Sequence, residues 1–365
     1  MKQFVRVISV RYDCAAKPAR HPREPLAAYA TRLQSHLLEH LHEAVSLALY
    51  AVQAEHGAPD ARRRPVTFVT APEFYWSVPW HALHDLREVR QLPALQIDPV
   101  CEAIAEVAAR FPVEHVGRIV ILPGTAALLI DVPRPPGRRA SAAVAAHGGA
   151  LLESLNCLYA AANFPPPFAP GDDAGLRRAL AWPKRHTSRI DYGRQKPALE
   201  TPYSRTFELA DGSFVEVLKE SGIALQGTTT VHARGAHLSD RLGGVPAFGI
   251  DLCRDFLQWR GEPPPGSTDC NAAHPDAPRY VIDFVPSYGA TVTDVAFPVP
   301  RSLQYIAHND GRAARQVAVF EVDRTRLRWT RVAPAACMRH LGADAGERVA
   351  IHEFTVDVPA PGGAQ

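Results

Sequence analysis

Val245-Pro246-Ala247-Phe248-Gly249-Ile250-Asp251-Leu252-Cys253-Arg254-Asp255 reads as an apolar strand that runs into a polar turn and leaves a thiol at its end. A cysteine at a strand end is more often a small buried hydrophobe than a nucleophile. The turn after it would nevertheless expose backbone N–H groups, that of Arg254 first, where an oxyanion could be held. Two segments upstream have the same layout. In Phe68-Val69-Thr70-Ala71-Pro72-Glu73-Phe74 a carboxylate follows a buried strand and is flanked by Phe74, Tyr75 and Trp76, surroundings that raise a carboxyl pKa and suit it to general-base work. In Trp182-Pro183-Lys184-Arg185-His186 a lysine, with His186 close behind it, stands just past another apolar run. Taken alone, such a lysine is usually a solvated surface charge.

The rest of the chain alternates strand and helix patterns. Phe4 to Val10 and Val66 to Thr70 read as strands, and between them Leu33, Leu37, Leu41, Val45, Ala48 and Val52 recur at helical spacing from Tyr29 to Glu55. A second helix is expected to start at Asp98-Pro99, followed by strands at Arg118 to Leu122 and Leu155 to Ala161. Later strands are expected at Phe214 to Leu218, Ile223 to Val231, Val245 to Leu252, Tyr280 to Val285, Ala313 to Val322 and Val349 to Val356. This is an α/β chain, strand-rich in its second half, with no internal repeat and no sharp linker.

Composition excludes more than it names. The 365 residues are 46% hydrophobic and 21% charged, as in a folded protein, and 40 Lys and Arg against 38 Asp and Glu leave a charge of only +2. Neither nucleic acid nor an anionic membrane surface is therefore an expected partner. The six cysteines show no C-x-x-C spacing, and no run approaches the apolar length of a membrane helix. With an N-terminus that enters a strand directly, a cytoplasmic location is expected.

Two metal-like spacings are set aside. His36-Leu37-Leu38-Glu39-His40 matches H-x-x-E-H, but both histidines fall beside or away from the apolar stripe of their helix, so a solvated flank is expected. Cys270 and His274 form one C-x-x-x-H pair without a second. No metal site is assigned.

In this order, Pro72-Glu73-Phe74, Lys184-Arg185-His186 and Gly249-Ile250-Asp251-Leu252-Cys253-Arg254-Asp255 resemble the carbon-nitrogen hydrolase family, also called the nitrilase superfamily, with its Glu, Lys and Cys triad. Ile121-Leu122-Pro123-Gly124, Leu155-Asn156-Cys157-Leu158-Tyr159 and Asp283-Phe284-Val285-Pro286-Ser287 resemble flanking strands of that family. The likeness runs from about Val5 to Val322.

The resemblance implies a four-layer α-β-β-α sandwich, with residues 1–365 as one domain and loop insertions near 132–149, 164–181 and 234–244. It implies Cys253 as nucleophile, Glu73 as general base and Lys184 as oxyanion stabiliser, without a cofactor, acting on an amide or nitrile of a small molecule. Many members also carry a second glutamate beside the lysine. Asp191 and Glu200 are the nearest carboxylates after Lys184, and Glu200 keeps the residue type. Phe74, Tyr75, Trp76 and Trp80 could line an acyl pocket or support the sheet. Cys253-Arg254-Asp255 looks more like the amidase and carbamoylase branches than the true nitrilases, which follow the cysteine with Trp-Glu. The alternatives are nitrile hydrolysis on the same triad, or a non-catalytic member that binds a small molecule or a protein. The family commonly forms homodimers or larger assemblies, with Glu347 to Val356 as a candidate contact segment.

Overall fold

The opening strand, β1 (Lys2–Val10), shows how the layers arise. Successive side chains of a strand point to opposite faces, and here Val5 and Val7 join one apolar cluster while Ile8 and Val10 join another. The same alternation recurs in β2 (Val66–Thr70) and β3 (Ile119–Leu122), where Phe68, Val120 and Leu122 face one way and Val69, Ile119 and Ile121 the other. A computed structural model describes residues 1–57, 65–133, 141–147, 149–164, 180–184, 188, 191, 196–219, 245–261, 280–292, 302–312, 316–323, 325–326 and 328–358.

Around these three parallel strands grows a sheet that also includes β4 (Thr125–Asp131), β5 (Gly149–Ala162), β6 (Leu180–Pro183), β7 (Leu199–Glu200), β8 (Ser204–Glu208), β9 (Phe214–Leu218) and, antiparallel to β1, the late strand β15 (Val349–Asp357). A second sheet contains β10 (Phe248–Ile250), β11 (Ile282–Ser287), β12 (Tyr305–Asp310), β13 (Val317–Asp323) and β14 (Arg328–Arg331), the first three parallel. The helices α1 (Leu26–His56) and α2 (Leu86–Ala109) cover one face of the first sheet through Leu33, Leu37, Leu41, Leu92 and Ile104. The other face meets the second sheet, with Val7, Phe68 and Leu158 packed against Phe248, Phe284 and Ala307. Phe256, from the helix Arg254–Gly261, joins Val285 and Ile306 in a third cluster. No helix among the described residues is long and apolar enough to cross a membrane.

Several expectations are revised. The second helix begins at Leu86, not at Asp98: Asp85 caps it by accepting from the N–H of Glu88 at 2.7 Å, and the buried stripe Val89, Leu92, Gln96 and Val100 carries it through Pro93 and Pro99. The apolar stripe outweighs the helix-breaking tendency of proline here. β4, β7, β8, β12 and β14 have no counterpart in the sequence reading. Of the expected strand Ala313 to Val322, the described part is β13, which starts at Val317. The expected strand Ile223 to Val231, the insertion at 234–244 and most of that at 164–181 lie outside the described residues. Within 132–149 there is a short helix, Ala142–His147.

Candidate active site

Glu73, Lys184 and Cys253 each follow the carboxyl end of a strand, and the two sheets bring those ends together. β2 is buried along its whole length and opens into a turn in which Phe74 takes φ 65, the left-handed region that non-glycine residues seldom adopt. Several groups hold it there. The Phe74 N–H donates to Thr125 Oγ1 at 2.9 Å, that of Trp76 to Thr125 O at 3.0 Å, and Lys17 Nζ donates to the carbonyls of Phe74 and Ser77. Gly124 passes so close that a Cβ would stand 2.2 Å from Pro72 O, and its own φ of 79 also calls for glycine. At the end of β10, Cys253 has φ 48 and donates its N–H to Pro286 O at 3.0 Å, immediately before the helix Arg254–Gly261. Lys184 continues β6, its N–H donating to Asn156 O on β5 at 2.7 Å.

The three side chains are buried together, with Glu73 0%, Lys184 2% and Cys253 5% exposed. Lys184 Nζ donates to Glu73 Oε1 at 2.7 Å and to Asp191 Oδ1 at 2.9 Å. Asn156 Nδ2 also donates to Glu73 Oε1, at 3.0 Å. Glu73 Oε2 is buried and has no partner of ordinary hydrogen-bond geometry. The Glu73 carboxyl and the Cys253 thiol nonetheless bias each other's protonation. Asp191 is fixed in turn by Ser188, whose N–H and Oγ donate to it at 2.7 and 2.8 Å.

Burial raises the Glu73 carboxyl from the usual range to about 7, even against the pull of Lys184. Burial alone would depress the Lys184 ammonium, but the carboxylates of Asp191 and Glu73 more than offset it and hold it well above the ordinary lysine value. The Cys253 thiol is pushed well above the usual value by burial and by Glu73, against Lys184 and a hydrogen bond from the backbone N–H of Tyr288. Both shifts favour the protonated forms of the thiol and of the carboxyl.

The geometry corrects part of the sequence reading. Glu200 is not beside the lysine: it lies on the surface, paired with Arg205 at 3.2 Å and Lys219 at 3.0 Å, because it belongs to the outer strand β7. The second carboxylate on Lys184, besides Glu73, is Asp191. Of the three aromatic residues, only Phe74 borders the site, its ring centroid 5.8 Å from Lys184 Nζ and 5.7 Å from that of Tyr288. Tyr75 and Trp76 point the other way, into the core under α1 and α2, where Tyr75 O–H donates to Leu37 O at 2.7 Å. Trp80 also joins that core. Arg254 opens the helix behind Cys253, where the positive end of the helix dipole favours an anion. His186, Cys270 and His274 lie outside the described residues.

His36 is exposed, but His40 is not the solvated flank that was expected. It is half-buried, with Nδ1 3.1 Å from Tyr75 Oη and its ring 5.0 Å from that of Tyr12, and burial pushes it down to about 4. Among the described residues no group of three or more His, Cys, Asp or Glu converges as metal ligands. Asn156 and Tyr288 are the groups that sequence reasoning did not assign to the site, while Asp191 was one of its two candidates for the second carboxylate. Asn156 stands in the quoted strand Leu155 to Tyr159, and its register beside Lys184 is the signal that pairing supplies.

No family model and no curated protein matches the chain. Among solved structures, a crystal structure of a carbon-nitrogen hydrolase from Helicobacter pylori G27 is similar to it at 9% identity. The match covers 96% of this chain and 88% of that one, with a TM-score of 0.36.

Proposed function

We propose that the chain is a carbon-nitrogen hydrolase of the nitrilase superfamily that cleaves the amide of a small molecule through a thioester on Cys253. The observation that carries this reading is the buried, unpartnered Oε2 of Glu73, on a carboxyl whose other oxygen is held by Lys184 and Asn156 beside the Cys253 thiol. A free carboxylate oxygen at that place is what a thiol needs to become a nucleophile.

Glu73 takes the Sγ proton as sulfur attacks the carbonyl carbon, and the C=O electron pair moves onto oxygen. The Lys184 ammonium and backbone N–H groups at the start of the helix after Cys253 stabilise that oxyanion. As the oxyanion collapses, the C–N bond breaks and Glu73 passes its proton to the leaving amine. Water, deprotonated by Glu73, then attacks the thioester; the acid departs and the proton returns to sulfur. Asp191 is a positioning residue, keeping the ammonium fixed and charged. No step uses a cofactor. The residue order after Cys253 favours amides over nitriles, and a four-layer α-β-β-α sandwich is supported by apolar clusters on both faces of each sheet. A homodimer or larger assembly of single-domain subunits belongs to the same reading.

The test is Cys253→Ala assayed on matched amides and nitriles. Turnover of the amides should vanish while the melting temperature is kept, and undiminished turnover would overturn the reading. Glu73 must be ionised to accept the thiol proton, and burial holds it up at about 7. The kcat/KM profile should therefore fall on its acid side, roughly tenfold per pH unit below about pH 7.

A further inference from the structure

Behind Cys253 lies a second buried polar cluster that the proposed reaction does not use. Ser287, His308 and Asp310 are all buried, and Ser287 Oγ is 2.8 Å from His308 Nε2 and 3.2 Å from Asp310 Oδ2. Asp310 also accepts the N–H of Gly289 at 2.8 Å and that of Arg312 at 2.7 Å. His308 bonds the backbone of Ala290, and Ser287 O accepts the N–H of Gly311 at 2.9 Å. The Ser287 hydroxyl donates to the Asp310 carboxylate, which can only accept, and the roles in its contact with His308 Nε2 follow the imidazole tautomer.

These bonds close on one short stretch. Residues 287, 289 and 290 are pinned by β12 and its exit, while the two groups between and before them face the thiol: Pro286 O accepts the Cys253 N–H, and the Tyr288 N–H donates to the Cys253 sulfur. Strand alternation sends the intervening Asn309 to the other sheet, where Nδ2 donates to Val10 O at 3.0 Å and to Thr70 O and Oγ1 at 3.2 Å. Next in sequence, Gly311 packs so tightly that a Cβ would stand 2.9 Å from Pro72 Cβ and 3.2 Å from Glu73 O. Residues 308–311 thus touch the supports of both the Glu73 and the Cys253 turns. Burying three polar side chains is unfavourable unless each is bonded, and here Ser287 lies on the stretch that faces the sulfur while His308 and Asp310 each bond to it.

We propose that Ser287, His308 and Asp310 are positioning residues that hold the 286–290 turn and so aim the Tyr288 N–H at the Cys253 sulfur, where it stabilises the thiolate as the proton leaves. This rests on Cys253 being the nucleophile. The test measures alkylation of Cys253 by iodoacetamide from neutral to alkaline pH, read from the mass of the labelled peptide, in the full-length wild type, Ser287→Ala and Ser287→Thr. Losing the donor raises the thiol pKa. In Ser287→Ala the profile should move about one unit to higher pH, with labelling near neutrality down roughly tenfold, and Ser287→Thr, which restores the hydroxyl, should return it. If Ser287→Ala does not fold, His308→Leu, which fills the volume and removes both bonds, carries the same expectation. Folded variants with the wild-type profile would overturn the proposal. Turnover surviving in Cys253→Ala would instead sink the nucleophile reading, so the two failures are told apart.

Discussion

At the end of β2 the chain turns through Phe74 at φ 65, and at the end of β10 through Cys253 at φ 48, so each candidate group sits where a non-glycine residue is held in the left-handed region. Each such residue costs about 1–3 kcal/mol and persists only where its surroundings over-determine it. The surroundings differ. The Glu73 turn is held from its own sheet and the N-terminal loop, by Thr125, Gly124 and Lys17, and its charge is met by Lys184. The Cys253 turn is held from the other side, by Pro286 near the end of β11 and by Tyr288 just after it. A proposed base and a proposed nucleophile with largely separate braces can be perturbed one at a time; among the described residues Lys184, the 308–311 segment and the ring contact of Phe74 with Tyr288 link them.

Lys184→Met is the largest expected perturbation of that contrast. It leaves Glu73 and Asp191, both buried, without their shared cation. The loss of a cation from a buried pair costs about 3–5 kcal/mol, and turnover should fall by roughly a thousandfold or more as oxyanion stabilisation goes. Urea unfolding and the amide assay read the two effects; a variant with wild-type stability would mean that the two carboxylates do not depend on the lysine.

Gly124→Ala should come next, at roughly 2–4 kcal/mol, since it combines a φ of 79 with a Cβ placed 2.2 Å from Pro72 O. It strains the Glu73 turn alone, so Cys253 alkylation should keep its pH midpoint. Gly311→Ala has an ordinary φ but meets Cys14 Sγ at 2.8 Å and Pro72 Cβ at 2.9 Å. It should cost about 1–2 kcal/mol and, because Gly311 also bonds Ser287, should move that midpoint. If the two variants affect alkylation alike, the braces are not separate.

The strands and the long helix were legible because burial imposes a period on the sequence: Leu33, Leu37 and Leu41 mark α1, and Phe4 to Val10 lies within β1. Glu73, Lys184 and Cys253 were legible because each follows an apolar run. What the sequence did not convey is which residues a distant strand brings alongside. Asn156 reaches Glu73 across 83 residues, a proximity created by strand pairing alone. β12 escaped because Tyr305-Ile306-Ala307-His308-Asn309-Asp310 is half polar, and its polar half is buried to bond the turns of both sheets. Asp191 and Glu200 were left as rivals because both follow Lys184 in sequence, and only the ion pairs separate them.

That separation yields the smallest expected effect. Glu200 is partly exposed and bonds Arg205 and Lys219 at the outer edge of the sheet. Exposed ion pairs contribute about 0–1 kcal/mol, and glutamine keeps an oxygen that can accept from Arg205. Glu200→Gln should therefore shift stability by no more than about 0.5 kcal/mol and leave turnover and its acid limb unchanged. The acid limb is the sharper readout, because it follows the charge around Glu73 and ignores small losses elsewhere. A shift of that limb in Glu200→Gln would place a second negative charge within reach of the base and return Glu200 to the site in place of Asp191.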